Sequence, residues 1–122
     1  MKPRSAKAKG RRLQNKIRDD LRQAFPLLEK DDIKSQTMGM PGEDIVLSPA
    51  AKKQICYSFE CKNVEKLNIW ATIQQAEDNS EDRCPVVVIK RNGTKIYAVL
   101  EFDQFINLIG EKNANICLYD SL

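Results

Sequence analysis

The sequence predicts an α/β fold in which helices flank a mixed central β-sheet. Between residues 10 and 25, apolar side chains recur at steps of three and four, which indicates an amphipathic helix. Short apolar runs separated by turn residues follow, and a second helical pattern at residues 66–77 interrupts them. Strands that alternate with helices are typical of a mixed sheet with helices on its faces, here in the order α-β-β-β-α-β.

The first predicted helix has an apolar side and a basic side. Pro26 cannot continue a helix and is expected to end it. Residues 1–9, rich in Lys, Pro, Ser and Ala, predict a disordered basic arm in front of a single domain at residues 10–122. The apolar positions of the helix are Leu13, Ile17, Leu21 and Ala24, and its basic positions are Arg11, Arg12, Arg18 and Arg22.

Three strands are predicted next, the last two forming an antiparallel hairpin. Gly39, Pro41 and Gly42 mark an exposed loop between the first and the second strand. The segment at residues 48–53 is interpreted as the turn of the hairpin. The predicted strands lie at the start of residues 33–40, at 44–47 and at 54–62.

The second half of the chain completes the predicted sheet. The helix at residues 66–77 is expected to bury Trp70 with its apolar neighbours at helical spacing, although Trp70 could instead stack on a nucleic-acid base. The continuous apolar run at residues 85–89 is typical of a strand buried on both faces. The last predicted elements are a strand at 95–100 and a short helix at 102–109 that Gly110 caps.

Composition bounds the class of protein. The chain has 122 residues, of which 42% are hydrophobic and 30% charged, as expected for one globular domain with one core. No apolar run is long enough to span a membrane, and the basic N-terminus lacks the apolar segment of a signal peptide, so we expect a cytoplasmic protein without membrane contact. Four cysteines without a CxxC pair, and no histidine, exclude a Cys/His zinc site and favour reduced thiols.

Charge is distributed unevenly along the chain. The first 18 residues carry eight Lys or Arg and no acid, whereas the whole chain has a net charge of +3, so the remaining residues sum to −5. A basic segment on a mildly acidic body predicts a polyanionic partner such as nucleic acid. The alternative is a terminus that only keeps the protein soluble.

Three charged residues are predicted to meet at one end of the hairpin. Glu60 and Lys62 are two residues apart on a strand, so their side chains share a face, while Cys61 points to the other face and can pack in the core. Asp44 opens the neighbouring antiparallel strand, whose start lies beside the end of its partner. The hairpin therefore predicts a cluster of Asp44, Glu60 and Lys62.

This cluster contains the groups that a divalent-cation site for phosphodiester hydrolysis needs. Two close carboxylates repel each other unless a cation lies between them, and Mg²⁺, or Mn²⁺ in its place, accepts a few carboxylate oxygens and keeps waters. Such a cation activates water and stabilises charge on a phosphate, and a lysine can orient the water or neutralise the developing charge. The alternative is a surface ion pair between Glu60 and Lys62, worth about 0–1 kcal/mol.

The residues PGED, an apolar strand, a short turn and FECK together resemble the PD-(D/E)XK nuclease superfamily. The resemblance covers about residues 10–109 and points to small phage and archaeal endonucleases of the Holliday junction resolvase type. It implies a restriction-endonuclease-like core and Mg²⁺-dependent cleavage of DNA, in which Asp44 and Glu60 bind the metal and Lys62 assists the attacking water. It also favours a phage-encoded protein acting in the host cytoplasm.

The resemblance is weaker on the first helix. Resolvase-like members often place a Glu one turn after a Lys-Gly pair, whereas Lys9-Gly10 is followed here by Gln14, a poorer metal ligand than a carboxylate. Gln14 could hold a metal-bound water, or Asp19 or Glu43 could take the place of the missing Glu.

Further accessory positions lie before and after the hairpin. Several branches of the superfamily carry a Gln on the helix after the ExK strand, which favours Gln75, and Gln74 second, for positioning the water or the substrate. Ser35 and the loop at residues 37–42 precede Asp44 and could line the cleft, with glycines that let a phosphate approach the backbone. The alternatives are a solvated helix face and a plain connecting loop.

The predicted partner is DNA, branched or duplex, read by its shape. No helix-turn-helix or zinc finger suggests base readout. A four-way junction needs two symmetric cuts, so a resolvase should be a two-fold homodimer, with an interface predicted at residues 86–89 and 116–119. The predicted DNA-binding residues are Lys9, Arg11, Arg12, Arg18 and Lys66.

Other functions are open at this point. One is a nicking or restriction-type DNA nuclease, and an RNA substrate is also compatible with the sequence. Another is a nucleic-acid-binding module of the same fold without catalytic activity, which the neutral Gln14 favours. A third is a protein-interaction domain with a basic tail. The joint presence of Asp44, Glu60 and Lys62 argues against the last two.

Overall fold

Helices and strands alternate along the chain, and the predicted α/β class is confirmed. The computed structural model describes the backbone of residues 3–121 and the side chains of residues 5–111. In chain order the elements are α1 Pro3–Ala24, a 3₁₀ turn Lys30–Asp32, β1 Ile33–Ser35, β2 Ile45–Leu47, α2 Pro49–Gln54, β3 Tyr57–Asn63, α3 Ile69–Asn79, β4 Cys84–Lys90, β5 Tyr97–Val99 and α4 Phe102–Ser121. The predicted order holds from α1 to β4, with α2 as an addition.

The five strands form two sheets instead of one. β1 and β2 are an antiparallel pair in which Ile33 lies opposite Leu47. In the second sheet β4 is central, parallel to β3 and antiparallel to β5. The predicted hairpin of β2 with β3 is therefore wrong, because β2 pairs with β1.

The segment that was expected to turn between these strands is the helix α2. The Ser48 hydroxyl accepts a hydrogen bond from the Ala51 N–H at 3.1 Å, so it caps the helix. Pro49 occupies the first helical position, where its fixed φ suits a helix and its missing N–H costs nothing. A capped helix separates the two strands, so they do not pair as neighbours.

The core lies between α1, the two-stranded sheet and one face of the larger sheet. Val86 and Val88 face this core, whereas Val87 is buried on the opposite face of β4. The prediction of a strand buried on both faces is confirmed. The buried core residues are Leu13, Ile17, Ile33, Ile45, Leu47, Ala51, Ile55, Cys61, Val86 and Val88.

Both terminal helices are longer than predicted. α1 begins at Pro3, so a disordered arm is wrong for residues 3–9, and residues 1 and 2 lie outside the described range. Proline is tolerated in a first helical turn, and the Lys, Ala and Arg that follow are good helix formers. α4 runs through Gly110, since a glycine weakens a helix by about 1 kcal/mol without ending it.

Two predictions about packing are wrong. Trp70 is 78% exposed, because α3 begins at Ile69 and turns Thr72 and Ala76 toward the sheet. Residues 86–88 of the predicted dimer interface are buried inside the subunit. The other predicted interface segment, residues 116–119, has its side chains outside the described range. No helix in the described part of the chain combines the length and apolar character needed to cross a membrane.

Candidate functional site

Asp44 is bound to β3 even though β2 is not. Its backbone N–H donates to the Phe59 carbonyl at 3.1 Å. Its carboxylate Oδ2 accepts from the Cys61 N–H at 2.7 Å. These two bonds place the Asp44 side chain beside Glu60, so the predicted meeting of the two carboxylates occurs through a contact different from the one expected.

Glu60 and Lys62 lie on the face of β3 that points away from the main core. The Lys62 amine lies 3.6 Å from Glu60 Oε1. The Glu60 side chain is only 3% exposed, and its Oε2 is buried without a hydrogen-bond partner among the described residues. Cys61, between them, packs in the core as predicted. A buried carboxylate oxygen with no partner is costly, which marks it as a candidate ligand.

Burial and mutual repulsion disfavour the ionised forms of the two acids. Burial, and then the neighbouring Asp44 charge, raises the pKa of Glu60 to about 7, against the opposing effects of Lys62 and Asn79. Burial also raises the pKa of Asp44, while the Cys61 N–H and the Lys62 charge lower it. Two buried like charges are stabilised when a divalent cation neutralises them.

The two carboxylates open into a cleft of about 510 Å³. One wall comes from the N-terminal half of α1, a second from the loop before Asp44, and a third from the end of α3. The floor is β3. The lining residues are Gly10, Gln14, Thr37, Met38, Gly39, Met40, Pro41, Gly42, Asp44, Glu60, Cys61, Lys62, Gln75, Asp78 and Asn79.

Asp44 and Glu60 contribute carboxylate oxygens, the type of donor that Mg²⁺ and Mn²⁺ prefer. Among the described residues no group of three or more acidic, Cys or His side chains is arranged to hold a metal. Asp44 and Glu60 would therefore bind a cation as a pair, with waters in the other positions, and Mg²⁺ commonly binds in this way. The unpartnered Glu60 Oε2 supplies a free donor of the required hard type.

Gln14 supports the site through backbone groups. It is buried, and its amide nitrogen donates to the carbonyls of Gln36 at 3.1 Å and Asp44 at 2.8 Å. The side-chain NH₂ group of Gln14 thus holds both ends of the loop before Asp44. A carboxylate could not make these two bonds, which gives a physical reason for a Gln at this position.

The other candidate substitutes for a first-helix acid lie away from the cleft. Glu43 accepts from the Arg83 guanidinium at 2.6 Å and from the Ser58 hydroxyl at 2.7 Å. Asp19 is exposed and accepts from Arg18. Neither lines the cleft, so the predictions of Glu43 or Asp19 as an alternative ligand are wrong.

Of the remaining accessory positions, one lies at the cleft. Gln75 lines it, as preferred, whereas Gln74 faces solvent and donates to Asp78 at 3.0 Å. Ser35 ends β1 and is not among the lining residues, so its prediction as a cleft residue is wrong. The loop at residues 37–42 does line the cleft.

The predicted DNA-binding residues divide into exposed and engaged groups. Arg11, Arg12 and Lys66 are exposed. Arg18 is engaged with Asp19 and Asn15. Lys9 is only 6% exposed and lies 3.3 Å from a carboxylate oxygen of Glu65, so its prediction as a phosphate contact is wrong. Of the five predicted residues, Arg11, Arg12 and Lys66 are therefore both exposed and without a side-chain ion pair among the described residues.

Sequence reasoning missed two residues of the cleft. Asp78 and Asn79 line it from the last turn of α3, and the Asn79 amide donates to the Gly42 carbonyl at 3.3 Å. The signal was present, because residues three and four positions after Gln75 share its helix face.

Comparison of the chain with protein-family models, with curated proteins and with solved structures finds no match. The resemblance to the PD-(D/E)XK superfamily therefore stays a prediction.

Proposed function

We propose that this chain is a divalent-metal-dependent endonuclease that hydrolyses phosphodiester bonds of DNA, with a preference for branched DNA like that of Holliday junction resolvases. One observation carries the proposal: Asp44, Glu60 and Lys62 converge in an open cleft where a buried Glu60 oxygen has no partner among the described residues. The setting we propose is the cytoplasm, including that of a phage-infected host.

Each residue has a role that its position supports. Asp44, fixed by the Cys61 N–H, and Glu60 would hold Mg²⁺ or Mn²⁺. The cation would supply Lewis-acid stabilisation of the phosphate and a more acidic water. Lys62 lies within 3.6 Å of Glu60 Oε1 and can neutralise charge that develops on the phosphate. Gln75, which also lines the cleft, can orient the attacking water or the substrate.

The charges around the cleft suit a nucleic acid. Arg11 and Arg12 are exposed on α1, whose residues Gly10 and Gln14 line the cleft. Lys66 is exposed just beyond β3. These cations can contact phosphates on either side of the scissile bond, and each contact would steepen the salt dependence by about 0.9 in log–log slope.

A two-fold homodimer remains part of the proposal, with a different surface from the one predicted. Phe102, Phe105, Ile106 and Ile109 recur at helical spacing on α4 and are exposed. An apolar helix face of this kind favours a protein contact. A dimer would give two active sites for the two symmetric cuts of a junction.

A catalytically inactive DNA-binding module is the second candidate. Gln14 is committed to backbone carbonyls, so α1 adds no third acidic ligand to Asp44 and Glu60. A nicking or restriction-type nuclease shares the same cleft chemistry and differs only in the DNA that it prefers.

Cleavage assays distinguish these candidates. The substrates are a four-way junction, a flap, a plain duplex and single strands, with Mg²⁺ or Mn²⁺. The test variant is Lys62→Ala, and Lys53→Ala is the control because Lys53 is exposed on α2 and is not a cleft residue. We expect symmetric cutting of the junction that is lost only in Lys62→Ala. Cutting of other DNA forms would support the nuclease and contradict its preference for junctions. Binding without cutting would support the catalytically inactive module.

A further inference from the structure

The loop between β1 and β2 has a rigid base. Its two ends are joined by a hydrogen bond from the Gln36 N–H to the Asp44 carbonyl at 2.8 Å. The buried Gln14 amide donates to the carbonyls of the same two residues. The loop is therefore fixed at its base to both α1 and the start of β2.

Two further anchors fix the side of the loop that leads into Asp44. The Asn79 amide donates to the Gly42 carbonyl at 3.3 Å. The carboxylate of the next residue, Glu43, accepts hydrogen bonds from the Arg83 guanidinium at 2.6 Å and from the Ser58 hydroxyl at 2.7 Å. These bonds tie the loop to α3 and β3, so only its tip is free to contact another molecule.

The tip of the loop, residues 38–41, is apolar and exposed. Met38 is 38% exposed and Met40 58%, and Pro41 is exposed beside them. No charged residue lies between Gln36 and Gly42. Gly39 and Gly42 have φ values of 84° and 100°, a conformation that favours glycine and brings the chain around in a tight turn.

The two methionines of the tip differ in their surroundings. A β-carbon placed on Gly10 would lie 3.3 Å from Met38 Cε, so Met38 packs closely across this glycine of α1. Met40 is the more exposed of the two and projects from the same cleft wall. Met38 thus supports the tip, and Met40 is free for contact with a ligand.

Exposure alone is not evidence of a binding site. Single exposed apolar residues are common, and Leu27, which does not line the cleft, is 93% exposed. The tip differs because it is contiguous, is held by the anchors described above, and lines the same cleft as Asp44 and Glu60. A ligand that fills the cleft would therefore lie beside the tip.

We infer that Met40 packs against the face of an unstacked base next to the scissile phosphate, so that the tip selects DNA with unpaired nucleotides. This inference rests on the proposed nuclease function. The faces of bases are apolar, and proteins that distort DNA insert Met, Leu or Pro side chains between them. A stacked duplex hides these faces, whereas a bulge, or the centre of a junction whose arms are unstacked, exposes them. The flexible, polarizable methionine side chain adapts to any of the four bases.

The test compares two DNAs that differ only in an unpaired segment. One is a fully paired duplex and the other is the same duplex with a three-nucleotide bulge, and both are assayed for cleavage and for binding with Ca²⁺ in place of Mg²⁺. The variant is Met40→Ser, with Met40→Leu as the conservative replacement and Leu27→Ser as a control of equal chemistry. Met40 and Leu27 are both exposed, so none of the three variants puts the fold at risk.

We expect the wild type to prefer the bulged DNA and Met40→Ser to lose about tenfold of its affinity for that DNA. Met40→Leu and Leu27→Ser should keep the preference. The slope of log K against log salt should stay unchanged in Met40→Ser, because no phosphate contact is removed. If wild type and Met40→Ser prefer bulged DNA equally and both still cleave, this inference is overturned, whereas the proposed nuclease function is not affected. A wild type that neither binds nor cuts any DNA would overturn both.

Discussion

The two faces of β3 are both buried, but with opposite consequences. On one face Cys61, Phe59 and Tyr57 pack with the apolar core, where removal from water stabilises the fold. On the other face Glu60 is buried beside Asp44, with its Oε2 unpartnered among the described residues. One strand thus combines a stabilising surface with one that is electrostatically unfavourable until a cation or a proton arrives.

The comparison shows how a small domain can hold an unfavourable group in place. Backbone bonds made by the odd-numbered residues position the site, since the Cys61 N–H binds the Asp44 carboxylate and the Phe59 carbonyl accepts from Asp44. The apolar face fixes the strand, and the strand fixes the acids. A substitution on the acidic face should therefore change cleavage and the pH dependence of stability, whereas one on the apolar face should change stability alone.

The largest expected effect is on catalysis from the acidic face. Glu60→Gln removes the negative charge of the proposed metal ligand while keeping the shape of the side chain. We expect cleavage of the preferred DNA to fall by about a hundred- to a thousandfold, as for other groups that stabilise transition-state charge. Single-turnover cleavage with Mg²⁺ measures it. Activity within threefold of the wild type would contradict the proposal that Glu60 is a metal ligand.

The next prediction concerns stability. The same substitution that lowers cleavage should raise the free energy of unfolding at high pH. The pKa of Glu60 is raised from 4.5 to about 7, so the protonated form stabilises the folded state. This contribution is fully present below pH 4.5 and is lost as the pH rises through 7. The always neutral Glu60→Gln should then be more stable than the metal-free wild type at pH 8, by on the order of 2 kcal/mol.

Urea unfolding in EDTA at pH 8 and pH 5 measures this difference. The advantage of Glu60→Gln should shrink toward zero at pH 5, where the wild-type carboxyl is mostly protonated. A difference that is equal at the two pH values would contradict the electrostatic origin of the effect.

A third change tests the support beneath the acids. Gln14→Glu replaces the amide that donates to the Gln36 and Asp44 carbonyls with an acceptor. We expect it to lower the free energy of unfolding by about 2 kcal/mol, because two buried carbonyls lose their donor. Mn²⁺ affinity should not increase. Tighter Mn²⁺ binding without loss of stability would instead identify position 14 as a ligand site.

The smallest effect comes from the apolar face. Cys61→Ala leaves a small cavity but keeps the backbone N–H that binds Asp44. It should destabilise the fold by about 1 kcal/mol, equally at pH 5 and pH 8, with cleavage unchanged below the unfolding transition. A Cys61→Ala variant that is as inactive as Glu60→Gln would erase the distinction between the two faces.

Local patterns in the sequence were sufficient for the class of fold and for the spacing of the site. Period-two alternation placed Glu60 and Lys62 on one face, and the continuous apolar run at residues 85–89 marked the central strand. Both depend only on residues close together in the chain, so they are readable without knowledge of tertiary contacts.

The errors have identifiable physical causes. The pair Ser48-Pro49 followed by Ala, Lys and Gln is a helix start, and attention to capping would have replaced the hairpin turn with α2. The helix α3 begins at Ile69, three residues later than predicted, and packs through Thr72 and Ala76, a face that does not include Trp70. The contact of Asp44 with β3 passes through the Cys61 N–H, a long-range bond that no local pattern encodes.

The most direct test of the account is calorimetric titration of Mn²⁺ into the metal-free protein at pH 8. The wild type, Glu60→Gln and Cys61→Ala are compared, so that each face of β3 is altered once in the same strand. We predict Mn²⁺ binding by the wild type and by Cys61→Ala, and no measurable binding by Glu60→Gln. A folded wild-type protein that binds no Mn²⁺, or a Glu60→Gln variant that binds it as tightly as the wild type, would contradict the claim that the acidic face of β3 is a metal site.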